Sequence, residues 1–170
     1  MSAMTITVEP LTREAFAPFG DVIQTDGARN FSINAGTVER YHKLAAVDVG
    51  EEEQGRAIIS IAECKAVSSL PCSLPLVERH PLGSQAFIPL DKQPIIVVVA
   101  TKGETVDPRA LKAFVSNGKQ GINYHRGVWH MPLICLAERQ QLLIVDRDGP
   151  GNNCEEFFFD EEIRIDGLQA

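Results

Sequence analysis

Three side chains that can bind a metal ion lie close together in the segment VERHPLGSQAF. Glu78 and His80 are two residues apart, so in a β-strand they would point to the same face. Gln85 begins the next candidate strand, beyond a turn that Pro81 and Gly83 predict, and can return to that face. Together they would offer a carboxylate oxygen, an imidazole nitrogen and an amide oxygen to one point. This mixed set suits a borderline divalent ion such as Ni, Fe, Co, Mn or Zn.

The same segment also has a structural interpretation. Glu78 could pair with a nearby arginine, and His80 could cap the turn before Pro81. Arg79 alternates with these two residues, so it is expected to face the opposite side and to make an ion pair. The segment alone therefore leaves a metal site and a structural role open.

The stretch NYHRGVWHMPL, residues 123–133, holds two of the four histidines and the only tryptophan. His125 is a candidate for acid–base chemistry, because imidazole titrates near neutral pH without help. Gly127 lets the chain bend between His125 and His130. Trp129 is expected to be a core anchor that packs beneath this turn. By itself the stretch is either part of a chemical site or a well-formed turn.

Most apolar segments are short, rich in β-branched residues and bounded by Gly, Pro, Asn or Asp, which is typical of strands. Many short strands separated by turns predict an all-β sandwich or barrel, and a barrel can hold a small ligand in its mouth. The run IIVVVA is apolar throughout, so it predicts a strand buried on both faces. The candidate strands are residues 5–8, 21–24, 38–42, 57–61, 74–78, 85–89, 95–100, 113–115, 142–146 and 154–159.

Two short helical segments are also predicted. Thr12 can cap a helical turn at residues 13–16, and Asp107 followed by Pro108 can begin a second one. The late segment DRDGPG is expected to be a turn, because Gly and Pro follow directly. Its charged side chains are then expected to lie in solvent; they are Asp146, Arg147 and Asp148.

The composition fits one domain covering residues 1–170, which is long enough for one hydrophobic core. Sixteen basic and 23 acidic side chains give a net charge of −7, so neither nucleic acid nor a membrane surface is an expected partner. No stretch approaches the roughly 20 apolar residues of a membrane span, and the first residues do not resemble a secretion signal. A cytoplasmic protein is therefore expected, and its four cysteines, which form no CxxC pair, are expected to be buried and reduced.

The segment GVWHMPL resembles the second signature of the cupin superfamily, in which a glycine turn aims a histidine at a metal inside a barrel. The first cupin signature, HxH followed by a carboxylate a few residues on, is matched with two substitutions by Glu78, His80 and Gln85. This resemblance implies an all-β, cupin-like double-stranded β-barrel of the jelly-roll type with a few short helices. It also implies that His130 joins Glu78, His80 and Gln85 as metal ligands.

Longer stretches are similar to the ureidoglycolate lyase family, formerly described as ureidoglycolate hydrolases. They are VERYH, VERHPLGSQAFIPL, SNGKQGINYHRGVWH and IVDRDGPGNNCEE, and the similarity runs from Ile6 to Phe159. The resemblance implies a carbon–nitrogen lyase of the amidine-lyase type that converts (S)-ureidoglycolate to glyoxylate and urea in allantoin and purine catabolism. It also implies a homodimer and a bound nickel ion or another divalent metal.

The reaction that the resemblance implies defines roles for particular side chains. A base must take the hydroxyl proton, an acid must protonate the leaving nitrogen, and a cation must hold the substrate carboxylate. The candidate acid–base groups are Glu78, His125 and His80. The carboxylate is assigned to Arg40 or Arg126, since arginine can grip it with two hydrogen bonds. The candidate partners of the ureido amide are Asn34, Tyr41 and Asn123.

Two other functions remain open from the sequence. His80, His130 and Glu78 could instead serve another cupin enzyme, such as a sugar-acid isomerase or a metal-dependent dioxygenase. A non-catalytic cupin that only binds a small molecule is the third hypothesis. The sequence favours this third hypothesis less than the two enzyme hypotheses, because no DNA-binding helix or basic arm accompanies the barrel.

Overall fold

Strands form nearly all of the regular structure in the computed structural model, which describes residues 3–167. One α-helix, α1 (Arg13–Phe16), and two 3₁₀ helices, Glu51–Glu53 and Pro108–Ala110, accompany them. The strands are β1 (Met4–Pro10), β2 (Gly20–Ile23), β3 (Asn30–Ile33), β4 (Val38–Tyr41), β5 (Arg56–Glu63), β6 (Cys72–Ser73), β7 (Leu76–Arg79), β8 (Gln85–Pro89), β9 (Ile96–Ala100), β10 (Lys112–Val115), β11 (Gly121–Tyr124), β12 (Trp129–His130), β13 (Gln141–Asp148), β14 (Glu155–Phe158) and β15 (Ile163–Asp166). Within the described residues, no helix has the length and apolar character needed to cross a lipid bilayer.

The strands are arranged in two large sheets and one hairpin. The larger sheet has eight strands in the order β14, β7, β12, β9, β10, β1, β15 and β6. The smaller sheet has five strands in the order β2, β11, β8, β13 and β5. β3 and β4 pair with each other as a separate antiparallel hairpin.

β9 separates two hydrophobic cores. Val97 and Val99 face the first core, which lies between the two sheets and includes side chains from β8, β11 and β13. Ile96 and Val98 face the second core, which the larger sheet forms by curling over its other face. Every residue of the run 95–100 is buried, which confirms that IIVVVA is covered on both faces. The layered, curled sheets confirm the predicted all-β, cupin-like double-stranded barrel.

Trp129 is a core anchor, as predicted. Its side chain is 2% exposed and lies in the second core, where its ring N–H donates a hydrogen bond to the Gly103 carbonyl at 2.9 Å. The Arg79 guanidinium lies 4.7 Å from the ring centroid and donates to Glu155 at 2.6 and 2.8 Å. Arg79 therefore points away from Glu78 and makes an ion pair, as strand alternation predicted.

Most of the predicted elements are present, with ends that differ by at most two residues. The Thr12 hydroxyl accepts a hydrogen bond from the Ala15 amide at 3.2 Å, and the Asp107 carboxylate accepts one from the Arg109 amide at 3.0 Å. Both helical caps are therefore confirmed. Five strands of two to four residues were not predicted from the sequence; they are β3, β6, β11, β12 and β15.

The prediction for the cysteines is wrong in two respects. Cys64 and Cys135 form a disulfide, with Cα atoms 5.9 Å apart. Cys72 and Cys154 are free thiols, but Cys154 is exposed rather than buried. Cys64 directly follows β5 and Cys135 lies in the loop before β13, so tertiary structure brings together residues 71 positions apart. No local spacing could have indicated this pair.

The solvent-exposed turn predicted at residues 146–148 is also wrong, because these residues end β13. Arg147 is buried and donates hydrogen bonds to the backbone carbonyls of Val49, Glu53 and Pro150 at 2.9 to 3.0 Å. Strand alternation then turns Asp146 to the opposite face from Arg147. Two of the three charged side chains therefore have hydrogen-bond partners inside the fold: Arg147, and Asp146, which accepts from Gln85.

Candidate active site

Glu78, His80 and His130 converge inside the barrel. β7 and β12 are antiparallel neighbours, and Glu78 lies directly opposite His130. Val77 is buried in the second core, so alternation along β7 turns Glu78 and His80 toward the space between the sheets. Potential ligand atoms of the three side chains all lie within 4.8 Å of one another. The two imidazole rings are 5.0 Å apart between centroids.

The turn at Gly127 joins the two halves of this cluster. Its φ of 80° lies in the left-handed region, which favours glycine. The Gly127 amide donates a hydrogen bond to the His80 carbonyl at 2.9 Å. The chain then enters β12 with Trp129 directed to the second core and His130 to the barrel interior. The turn thus has the predicted role of placing His130 beside the other candidate ligands.

His130 is buried with one ring nitrogen unpartnered. Its Nδ1 lies 3.1 Å from the Val128 carbonyl, which can only accept, so Nδ1 carries the proton. Its Nε2 is buried without a hydrogen-bond partner and lies 3.6 Å from Glu78 Oε1. Burial lowers the pKa of His130, which favours the neutral ring with a lone pair on Nε2. The ring stacks on Tyr124, with centroids 4.1 Å apart and planes at 7°.

Glu78 is a half-buried carboxylate at the edge of the cluster. The contact with His130 is the main cause that lowers the pKa of Glu78, and burial opposes this shift. Glu78 is therefore ionised at neutral pH. Its second oxygen, Oε2, lies 3.8 Å from the thiol of Cys154. The ionised oxygen of Glu78 and the Nε2 lone pair of His130 face each other, so a positive charge between them would be stabilised.

A chain of polar contacts connects His80 to the opposite sheet. His80 Nδ1 lies 2.7 Å from the Asn153 carbonyl, and its Nε2 lies 3.1 Å from Gln85 Oε1. The Gln85 amide donates to Asp146 Oδ2 at 3.1 Å. Gln85 is therefore in contact with the cluster, as predicted from its place at the start of the strand after the turn. Asp146 is an additional polar residue of the site.

His125 and Asn123 lie on the other face of the smaller sheet. Tyr124 points into the barrel, so alternation along β11 turns Asn123 outward. Asn123 donates a hydrogen bond to Asp21 Oδ2 at 3.0 Å, and His125 Nε2 lies 3.0 Å from the same oxygen. The structure thus pairs these two candidates with Asp21 and does not place them with Glu78.

Three other substrate-binding candidates lie on the separate hairpin. Arg40 and Tyr41 belong to β4 and are exposed. Asn34 lies in the turn between β3 and β4, with a φ of 52°. The hairpin pairs with neither of the two sheets that hold the cluster.

The guanidinium of Arg126 is occupied by two carboxylates. It donates to both oxygens of Asp48, at 2.6 and 3.0 Å, and to Glu52 at 3.1 Å. The bonds from Arg126 lower the pKa of Asp48, and they raise the pKa of Arg126 itself. These contacts attach the segment around Asp48 to the barrel, and they use the donors that a substrate carboxylate would need.

Sequence reasoning missed Tyr124, Asp146 and Asn153. Recognition of Gly121–Tyr124 as a strand would have placed Tyr124 on an inner face. Asp146 was assigned to a turn because Gly149 follows so closely. Asn153 acts through its backbone carbonyl, which carries no signal in the sequence.

Comparisons with known proteins identify relatives over nearly the whole chain. A profile of the family described as ureidoglycolate lyase matches residues 3–166. A protein named ureidoglycolate lyase from Stutzerimonas stutzeri is 55% identical over 168 residues, covering 98% of both chains. Another of the same name from Pseudomonas fluorescens is 54% identical over 161 residues, covering 95% of both chains.

Among solved structures, a dTDP sugar isomerase from Desulfovibrio desulfuricans is similar with a TM-score of 0.45 and 17% identity. The match covers 84% of this chain and 87% of that one. RmlC from Streptococcus suis, in complex with dTDP-D-xylose, has a TM-score of 0.44 and 14% identity, covering 88% and 73% of the two chains.

Proposed function

The chain belongs to the ureidoglycolate lyase family, and we propose that it cleaves (S)-ureidoglycolate to glyoxylate and urea at the barrel cluster. The observation that carries this proposal is the close approach of the ionised Glu78 carboxylate to Nε2 of His130. That nitrogen is buried and has no hydrogen-bond partner. A buried polar atom without a partner costs about 1–3 kcal/mol, so it indicates a site that a ligand completes. The proposed reaction class is amidine-lyase cleavage within allantoin breakdown, in the cytoplasm.

The proposed reaction is an elimination that consumes no water. The carbinol hydroxyl loses its proton, a C=O bond forms, and the electron pair of the breaking C–N bond goes to the ureido nitrogen. That nitrogen then takes a proton and leaves as urea. The carbinol oxygen and the nitrogen are bonded to the same carbon, so one carboxylate can serve both atoms. We assign Glu78 this role, because it is ionised and can accept a proton.

The donor set of the cluster fits a divalent cation. Glu78, His80 and His130 present oxygen and nitrogen atoms to a shared position, and the Gln85 amide oxygen lies beside His80. When bound, such an ion would supply the positive charge that attracts the substrate carboxylate and lowers the pKa of its hydroxyl. The resemblance implies nickel, whereas mixed nitrogen and oxygen donors accept several divalent ions.

We further propose that the chain acts as a homodimer. Large apolar side chains are exposed on the hairpin and on the edge strand β5, where a second copy could cover them; they are Phe31, Val38, Tyr41, Ile58, Ile59 and Ile61. The substrate contacts proposed for Arg40, Tyr41 and Asn34 would require the hairpin to reach the substrate within this assembly. Sedimentation of the purified protein tests this proposal. We expect a species of dimer mass, and a single species of monomer mass would contradict it.

Removal of metal should abolish turnover. Purified protein should release urea and glyoxylate in equal amounts from racemic ureidoglycolate, stop after treatment with a chelator, and recover when Ni²⁺ is restored. Unchanged turnover after complete metal removal would refute the metal-assisted form of the proposal. No release from folded, metal-loaded protein would refute the lyase activity. Oxygen uptake or isomerisation of another substrate would instead favour a different cupin enzyme.

Replacing Arg126 by alanine should destabilise the fold without a large change in KM. We expect the free energy of unfolding to fall by about 1 kcal/mol, because the ion pairs are partly exposed and screened. Arg126 holds the pKa of Asp48 below its usual 3.8. Its stabilising effect is therefore present at neutral pH and is lost as the pH falls below 3.8, through the lower pKa of the folded state.

Urea denaturation at neutral and acidic pH measures this change. Arg56→Ala is the matched control, since Arg56 makes one 3.8 Å contact with Asp148 and both side chains are exposed. A large rise in KM for Arg126→Ala with unchanged stability would show that Arg126 binds the substrate instead.

A further inference from the structure

A continuous chain of polar groups crosses the barrel from β13 to the loop before β14. It runs from Asp146 through the Gln85 amide and the His80 ring to the Asn153 carbonyl, with separations of 3.1, 3.1 and 2.7 Å. Both ends of this chain are groups that can only accept hydrogen bonds when Asp146 is ionised. The directions of the two outer bonds follow: His80 Nδ1 donates to the Asn153 carbonyl, and the Gln85 NH₂ group donates to Asp146.

We propose that Asp146 is a positioning residue that makes Gln85 present its amide oxygen, rather than its NH₂ group, to His80 and the cluster. The proposal rests on the proposed metal-binding function of this cluster. Asp146 reaches Gln85 because β13 and β8 are paired, with Val145 opposite Ala86. The next pair along the two strands brings Asp146 opposite Gln85.

The polarity of the chain follows from its two ends. The Asn153 carbonyl needs a donor, so His80 Nδ1 carries a proton, and a ring with a single proton keeps its lone pair on Nε2. The Asp146 carboxylate also needs a donor, so the Gln85 NH₂ group turns toward it. Gln85 Oε1 and His80 Nε2 are then two acceptors 3.1 Å apart, an arrangement that a cation or a proton between them would stabilise.

Without Asp146, the Gln85 amide would lose the hydrogen bond that holds it in this orientation. The oxygen and nitrogen of a glutamine amide have nearly the same shape, so the group can rotate by half a turn within the same space. Its NH₂ group would then donate to His80 Nε2 and occupy the lone pair that the cluster offers. One rotation would remove two of the four candidate ligands, Gln85 and His80. Asp146 therefore keeps the cluster able to bind a cation.

Titration of metal-free protein with Ni²⁺ by calorimetry tests this inference with a readout independent of turnover. Asp146→Leu should weaken Ni²⁺ binding by about 10- to 100-fold, the range found when partners of metal ligands are removed. Adding Gln85→Glu to that variant should restore binding, because a carboxylate has no NH₂ group to turn toward His80. Asp146→Asn should lose part of this affinity, because its own amide can rotate and either accept from Gln85 or donate to it.

Asp148→Leu is the matched control, because Asp148 lies on the same strand and is exposed. It should bind Ni²⁺ as wild type does. Unchanged binding by Asp146→Leu, a double variant as weak as Asp146→Leu, or a wild-type protein that binds no divalent ion would each overturn the inference. Urea release by wild type, measured on the same samples, tests the lyase activity separately. If Asp146→Leu does not fold, wild-type Ni²⁺ affinity in folded Asp146→Asn overturns the inference.

Discussion

Replacing Glu78 by glutamine should lower kcat for ureidoglycolate cleavage by about 10²- to 10⁴-fold, the usual contribution of a positioned acid–base group. The amide is similar in size, but it cannot accept the hydroxyl proton. Wild-type Glu78 can accept a proton at neutral pH, because its pKa lies below the usual 4.5 and its carboxylate is ionised. Initial rates of urea and glyoxylate release, measured at saturating substrate, give the change in kcat.

Glu156→Gln is the matched control for this variant. Glu156 lies opposite Glu78 in the pairing of β14 with β7, and it is exposed. The control removes one carboxylate from the same region and should retain wild-type kcat. If Glu78→Gln retains kcat as well, Glu78 is not the proton acceptor, and the site assigned to the reaction must change.

Replacing His130 by phenylalanine should remove the stabilisation that a divalent ion gives the fold. A ligand present at 100 times its Kd stabilises the folded state by about 2.7 kcal/mol, and this gain should disappear. The aromatic ring can keep the stack on Tyr124, whose centroid is 4.1 Å away. Metal-free protein should lose little stability, because the lost bond to Val128 is offset by removal of the unpartnered Nε2.

Thermal unfolding with and without Ni²⁺ measures this effect. His42→Phe is a matched control, because His42 also has a buried nitrogen without a partner, and its ring packs against Phe31 of the hairpin. His42→Phe should keep the full response to Ni²⁺. A full response in His130→Phe would show that the ion binds elsewhere.

The inner face of β7 could be predicted from the sequence, because alternation is a local property. Glu78 and His80 share a face in any strand that contains both, and Gln85 returns to it after a short turn. The structure brings these three side chains together with His130. The resemblance to a cupin signature, rather than spacing alone, indicated His130.

The positions of His125, Arg126 and Asp146 could not be predicted in this way. His125 and Arg126 are close to His130 in the sequence, but the turn at Gly127 lies between them and directs His130 alone into the barrel. Their partners, Asp21 and Asp48, are far away in the chain. Asp146 precedes a run of Gly and Pro, so the local pattern favoured a turn, whereas pairing of β13 with β8 and β5 extends the strand.

Anomalous diffraction from crystals grown with Ni²⁺ and glyoxylate is the most direct test of whether the barrel cluster is the reaction site. We predict one nickel peak at the cluster, beside Nε2 of both His80 and His130, with glyoxylate bound next to Glu78. Glyoxylate bound at another place, with no nickel at the cluster, would contradict the proposed site.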